Sequence, residues 1–400
     1  MGKGQSPFYP GHPVPVELFV GRQPEIDRII TRGVGQVERG KPISIFVQGE
    51  YGIGKSSIAR YVQFIAAEKH GLLPIYASLS PSQTLPDLAV SVVEGTMHSG
   101  QIHPSRGERI KTWLAKYIGK QELFGFRVNL EALRSDASKI ASVHGLLDFL
   151  GEAFAKAEAN GVFLVLDEIN GLADQPWFAR FIKSLVDTNA LAVKPLPLLL
   201  MICGTGERRG RMIEHHEPVA RIFDVIEIDA LSEDEMKEFF ERAFESVSMK
   251  VNGDAMEFLT YYSAGFPKVM HLIGDWAYWT DQDLVVDADD AVRAVIDAAE
   301  DFGRRHVDQQ VLAALRSSDY RSILGKITDS ARFSKKDVEV KLDESERKKF
   351  NNFLQKMKAL KVLRPGEVQG EYIFTMQLVR IYLHLKSAEL QTRARAKGST

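Results

Sequence analysis

Cysteine is nearly absent: Cys203 stands alone in 400 residues. No intrachain disulfide is possible, and in the apolar run Leu198 to Cys203 the thiol acts as a small hydrophobe suited to a reducing compartment. Long apolar runs are missing as well. None approaches the roughly 18 residues of a membrane span, and the Gly/Pro-rich stretch Met1 to Pro15 has no apolar h-region. A cytoplasmic location without membrane attachment is expected. Charge of one sign is not in excess, because 51 Lys and Arg stand against 53 Asp and Glu, a formal net charge of −2. That excludes a polycation coating nucleic acid by bulk charge, so any such surface must be local. No internal repeat is evident. What is present, 44% hydrophobic and 26% charged residues, is a globular composition long enough for two to three domains.

Residues 1–18 carry Pro7, Pro10, Pro13 and Pro15 among Gly and aromatics, which predicts an extended arm pinned by Phe8 and Tyr9. From Pro24 the spacing of Ile26, Ile29, Ile30, Val34 and Val37 predicts a helix ending near Gly40. Five short apolar runs read as buried strands: Ile43 to Val47, Leu73 to Ala77, Val162 to Leu166, Leu198 to Cys203 and Val225 to Ile228. Helical stretches separate them, so a parallel sheet covered by helices on both faces is expected over residues 19–230. Between Ser105 and Ser142 an amphipathic piece around Ile110 to Ile118 precedes Gly125 to Leu130, which alternates like a strand. From Leu231 the pattern turns helical, with Ser232 to Glu235 as a helix start and Met236, Phe239, Phe240 and Ala243 on one face. This helical subdomain spans residues 231–302.

The strand ending at Val47 runs directly into Gly49-Glu50-Tyr51-Gly52-Ile53-Gly54-Lys55-Ser56-Ser57, which satisfies G-x-x-x-x-G-K-[ST] and opens a helix. Gly49, Gly52 and Gly54 let the backbone curl so that successive N–H groups, Ser57 included, face phosphates at the positive end of the helix. Lys55 would reach the β- and γ-phosphates of ATP, and the Ser56 hydroxyl would ligate Mg²⁺. A second element is Val162 to Leu166 followed by Asp167-Glu168, two carboxylates at the carboxyl edge where such sheets place ligands. Asp167 would complete the Mg²⁺ shell. Glu168 is then placed to orient and activate an attacking water, which argues for hydrolysis rather than binding alone.

Charge is segregated further along. Asp281 to Asp301 holds eight Asp and Glu against Arg293, whereas Arg332 to Arg364 holds eleven Lys and Arg against five Asp and Glu. Over residues 303–386 the order is helix (Val307 to Leu315), helix (Tyr320 to Ile327), a helix starting at Ser334, the long amphipathic Ser345 to Leu360, and a hairpin turning at Pro365 to Gly370. Three helices and a hairpin describe a winged helix. Arg347, Lys348, Lys349 and Lys356 lie on its recognition-helix candidate, a distribution suited to the phosphates of duplex DNA. Residues 387–400 form a basic tail without apolar periodicity, expected to be mobile.

Taken together, Phe19-Val20-Gly21-Arg22 ahead of a helix, the phosphate loop, the Asp167-Glu168 strand and the helical subdomain resemble an AAA+ P-loop ATPase. The similarity is to the origin-recognition and archaeal initiator branch and the related STAND ATPases, and it spans residues 19–385 in layout. It implies an α/β core, a helical lid over residues 231–302, and a C-terminal winged helix. Phe19 and Val20 would line an adenine pocket. Thr205, in the Gly204-Thr205-Gly206-Glu207 turn, would be a polar sensor, although many members carry Asn there. Arg221, ahead of the last strand, would be an arginine finger entering a neighbouring subunit of a homo- or hetero-oligomer, a role for which Arg208, Arg209 and Arg211 compete. Pro267 and Lys268 would belong to a lid motif closing on ATP or ADP. The expected protein is an ATP-hydrolysing, DNA-associated switch or machine. Its alternative is a STAND-like signalling or defence regulator whose winged helix contacts protein.

Overall fold

The computed structural model describes residues 3–11, 18–99, 104–117, 142–315 and 317–397. The chain divides into two compact units, Pro13–Asp229 on the one hand and Ala230–Thr400 with Met1–His12 on the other. Among the described residues no helix is long and apolar enough to cross a membrane.

The first unit is built on five strands: β1 (Ile43–Gly49), β2 (Leu73–Ser78), β3 (Val162–Asp167), β4 (Leu198–Gly204) and β5 (Asp224–Ile228). They pair in the order β2-β3-β4-β1-β5, every pairing parallel. The β-branched and apolar runs of the sequence are these strands; β1 to β4 each run on into a polar residue or glycine at the carboxyl end, and β5 gains Asp224 at its start. Alternation divides their side chains between two faces. Phe46, Ile75, Leu164, Leu166, Leu200 and Ile202 join one core with the helices Leu85–His98, Val143–Ala157 and Pro176–Ala190. Opposite them, Gly33 of the first helix approaches Ile45 and Leu199, and Gln63 of the helix Lys55–His70 donates to the carbonyls of Ile75 and Phe163 at 2.9 Å each. Helices therefore cover both faces, as the strand–helix alternation predicts. The first helix begins at Gln23–Arg28, widens to a π-helical turn at Ile29–Val34 and ends at Gly35–Val37. The amphipathic piece around Ile110 is the helix Pro104–Tyr117, whereas Gly125 to Leu130 lies outside the described residues.

The second unit is mainly helical. Ser232 and Glu235 make the reciprocal cap expected of them on Glu233–Glu245, and Asp287 with Asp290 does the same for Ala288–Phe302. That helix continues without a break into the π-helical Gly303–Leu312. Between them lie Gly253–Ser263 and Pro267–Thr280, with β6 (Lys250–Val251) pairing in parallel with β7 (Val285–Val286). Residues 3–11 of the proline-rich arm belong to this unit. Phe8 is buried, its ring 4.9 Å from Phe244 and 5.9 Å from Phe239, and the Tyr9 amide donates to His271 Nδ1 at 3.1 Å. Burying one such phenylalanine contributes about 2 kcal/mol. Lys3 adds an ion pair with Asp281 at 2.9 Å.

Farther on come the helices Ser318–Ile327, Lys335–Val340 and Glu344–Ala359, followed by the expected hairpin of β9 (Leu363–Pro365) and β10 (Glu371–Phe374). One strand was not expected: β8 (Arg332–Ser334) pairs antiparallel with β10 and makes the hairpin a three-stranded sheet. The basic tail also differs from expectation, because the helix Gln377–Lys397 carries regular backbone through to Lys397. Leu378, Tyr382 and Leu383 bury its start, and good helix formers such as Ala, Glu, Gln, Arg and Lys extend it beyond the apolar face.

Candidate functional site

The phosphate loop leaves β1 at Gly49, where a Cβ would come within 2.6 Å of the Ile228 carbonyl oxygen and 2.9 Å of the Ile53 side chain. Only glycine fits there. Gly52 and Gly54 take positive φ, 79° and 101°, and turn the backbone into the helix Lys55–His70. The loop is tied down by Arg22, a buried residue with positive φ, whose guanidinium donates to the Ile53 carbonyl at 2.9 Å and also to the Asp229 carbonyl. Phe19 stacks on Tyr61 of the loop's helix with centroids 4.4 Å apart, and Val20 is buried beside it in sequence.

Lys55 Nζ donates to the carbonyls of Gly49 at 2.9 Å and Glu50 at 2.7 Å, so the ammonium folds back on its own loop. Among the described residues it makes no ion pair. Burial pushes it below its ordinary pKa, against the opposing pull of Cys203, Asp167 and Glu50. Cys203, fully buried on β4, is pushed up by desolvation and then by Asp167. These side chains converge because strand alternation gives Tyr76, Asp167 and Cys203 the same face of three adjacent strands. Asp167 is buried; its Oδ1 accepts from the Glu168 amide at 2.8 Å and its Oδ2 accepts from the Tyr76 hydroxyl. Burial, then the Asp167 charge, raises the Tyr76 phenol far above its usual range, so it remains a donor. Glu168 takes φ 59°, and its Oε2 accepts from Ser78 Oγ at 2.7 Å.

Thr205 follows β4 and caps the helix Gly206–His215, its Oγ1 accepting from the Arg208 amide at 3.3 Å. Arg221 ends the short Glu217–Arg221 helix ahead of β5, exposed and without a polar partner among the described residues. Its competitors differ: Arg208 pairs with Asp174 at 2.5 Å, Arg211 pairs with Glu214 at 3.0 Å, and Arg209 has a buried Nε without a partner. Pro267 and Lys268 belong to the second unit, where Lys268 Nζ lies 3.4 Å from His306 Nε2. Arg347, Lys348, Lys349 and Lys356 all lie on the helix Glu344–Ala359. Lys348 pairs with Glu344 at 3.0 Å, Lys349 pairs with Asp319 at 2.5 Å, and Arg347 and Lys356 donate to the carbonyls of Glu339 and Ala314.

Sequence reasoning therefore brought Lys55 and the Asp167-Glu168 pair to one edge of the sheet but missed Arg22 as a loop anchor, and Tyr76 and Ser78 as donors to the two carboxylates. The polar residues Tyr76 and Ser78 at the end of an apolar run were the signal. A hydroxyl at Ser56 and the Asp167 carboxylate suit Mg²⁺, which takes one or two carboxylates and leaves other positions to water and phosphate. No cluster of three or more His, Cys, Asp or Glu able to hold a metal occurs among the described residues.

A family model described as an AAA ATPase domain matches residues 18–201. Among solved structures, the chain is similar to a Walker-type ATPase of Pyrococcus abyssi, 18% identical, with 91% of this chain and 96% of that one covered at a TM-score of 0.56. It is also similar to the ORC2 protein of Aeropyrum pernix, described in ADPNP–ADP complexes, at 13% identity and a TM-score of 0.57 over 94% of this chain and 95% of that one. No curated protein matches.

Proposed function

We propose, from the premise that residues 18–201 are an AAA ATPase domain, that the chain hydrolyses ATP and couples the nucleotide cycle to duplex DNA. The observation that carries hydrolysis is the convergence of Lys55, Asp167 and Glu168 on one edge of the sheet. Lys55, partly withdrawn from water and without a carboxylate partner among the described residues, is suited to phosphate oxygens. Ser56 and Asp167 would hold Mg²⁺, which when bound neutralises charge on the phosphates. The Glu168 carboxylate orients the water that attacks, and Ser78 steadies it from β2. Arg221, exposed and unpaired among the described residues, suits a cation donated to a neighbouring protomer's nucleotide, since only Arg presents a planar fork of donors.

DNA association is supported by the excess of positive charge over residues 332–364 and by the order of elements there. The helix Glu344–Ala359 is followed by the β9–β10 hairpin, with β8 alongside, in keeping with a winged helix.

The test of hydrolysis is Glu168→Gln. The amide keeps the shape of the carboxylate and loses the charge that orients water, so turnover is expected to fall by about 10²–10⁴-fold while ATP binding persists. Lys55→Ala is expected to weaken ATP binding itself. Equal turnover in wild type and Glu168→Gln removes Glu168 from this role.

A further inference from the structure

We propose that Tyr76 is a positioning residue for Asp167, holding its carboxylate in the orientation in which it takes its share of the magnesium shell. The inference rests on the reading of Asp167 as a magnesium ligand. The parallel register sets Tyr76 opposite Val165 and Ser78 opposite Asp167, so the tyrosine and the carboxylate rise from neighbouring strands on the same face. The Tyr76 hydroxyl donates to Oδ2 and the Glu168 amide to Oδ1, one donor for each carboxylate oxygen. Asp167 is only 3% exposed. Rotating its carboxylate would strand a part-buried donor at a cost of about 1 kcal/mol. The ring is itself held, because the Arg60 guanidinium of the loop's helix lies 4.0 Å from its centroid. A phenol brings no charge of its own, and a carboxylate oxygen that accepts one hydrogen bond retains a lone pair for a cation. Groups that hydrogen-bond a ligating carboxylate commonly govern metal affinity.

The experiment is calorimetric binding of ADP to the full chain, in EDTA and across a magnesium titration, for wild type, Tyr76→Phe and Asp167→Asn. Tyr76→Phe is expected to leave ADP affinity in EDTA unchanged and to raise by roughly tenfold the magnesium concentration that gives half of the tightening. Asp167→Asn is expected to lose the magnesium-dependent tightening. If Tyr76→Phe titrates like wild type while Asp167→Asn loses the response, Asp167 keeps its role and Tyr76 does not position it. Loss of ADP binding in EDTA by Tyr76→Phe also overturns the inference, since the hydroxyl then supports the fold rather than the ligand. Wild type indifferent to magnesium, or Asp167→Asn that keeps the full response, removes the magnesium reading together with the inference.

Discussion

At the carboxyl edge of the sheet Lys55 is partly drawn out of solvent and, among the described residues, finds only the carbonyls of its own loop, whereas in the unit beyond Asp229 the lysines Lys348 and Lys349 stand in water and each finds a carboxylate. The two regions carry the same side chain in opposite circumstances. A desolvated ammonium without an ion-pair partner is costly to fold and becomes favourable once an anion arrives, so its surroundings identify a ligand class. An exposed ion pair is worth about 0–1 kcal/mol and is readily exchanged for a phosphate contact. Its presence permits DNA binding without pointing to it.

Arg221 sharpens that contrast because it is exposed and, among the described residues, unpaired, while Arg208 and Arg211 are engaged by Asp174 and Glu214. If Arg221 completes a neighbour's site, Arg221→Ala should lower turnover by about 10³-fold or more, and Arg208→Ala by far less. Each protomer of Arg221→Ala retains Lys55 and Glu168, and each protomer of Glu168→Gln retains Arg221. Mixed oligomers of the two should therefore regain turnover. A mixture that demonstrably exchanges protomers yet stays as inactive as its parents assigns the role elsewhere.

How far the sequence could be read follows the same division. The strands of the sheet were legible because short β-branched runs ending in Gly or Asp have few other uses, and the loop was legible because its glycines serve a backbone shape. Tyr76 and Ser78 were not, since their meaning comes from register: only the pairing of β2 with β3 sets them beside Asp167 and Glu168. The three residues of β8 are too few to show alternation. Thr205 was read for its place after a strand, and its side chain also serves as a helix cap.

The second unit buries a titratable nitrogen too, and there burial has a purely structural use. His271 sits among Phe8, Tyr9 and Phe239, accepting from the Tyr9 amide on Nδ1, with Nε2 buried and unpartnered. Desolvation lowers its pKa from 6.5 to about 4. The unfolded chain thus takes up a proton near pH 6.5 that the folded chain refuses until about pH 4. Stability is lost as pH falls through that window, by about 3 kcal/mol in all. Urea unfolding at pH 7 and pH 4 should show His271→Phe losing less than wild type by about that amount. Parallel losses in the two proteins would mean that the histidine is not buried in its neutral form.

The smallest expected effect bears on the exposed half of the comparison. Lys348 and Lys349 lie outside the core: Lys348 is 74% exposed and pairs with the exposed Glu344, and the exposed Lys349 pairs with the half-buried Asp319. Reversing both to Glu should leave folding stability within about 1 kcal/mol. If this helix meets duplex DNA, each lost phosphate contact removes released counterions, so the slope of log affinity against log salt should flatten by about 2. Affinity at moderate salt should drop by about tenfold, for mixed-sequence duplexes alike, because phosphate contacts carry no sequence information. The measurement is anisotropy of a labelled duplex at several salt concentrations, with the full chain and ATP. A solvated face predicts no salt-sensitive binding and no response to the reversal. That outcome would leave the positive excess of residues 332–364 as surface ion pairing alone, and the half-buried Lys55 as the phosphate-directed lysine of the comparison.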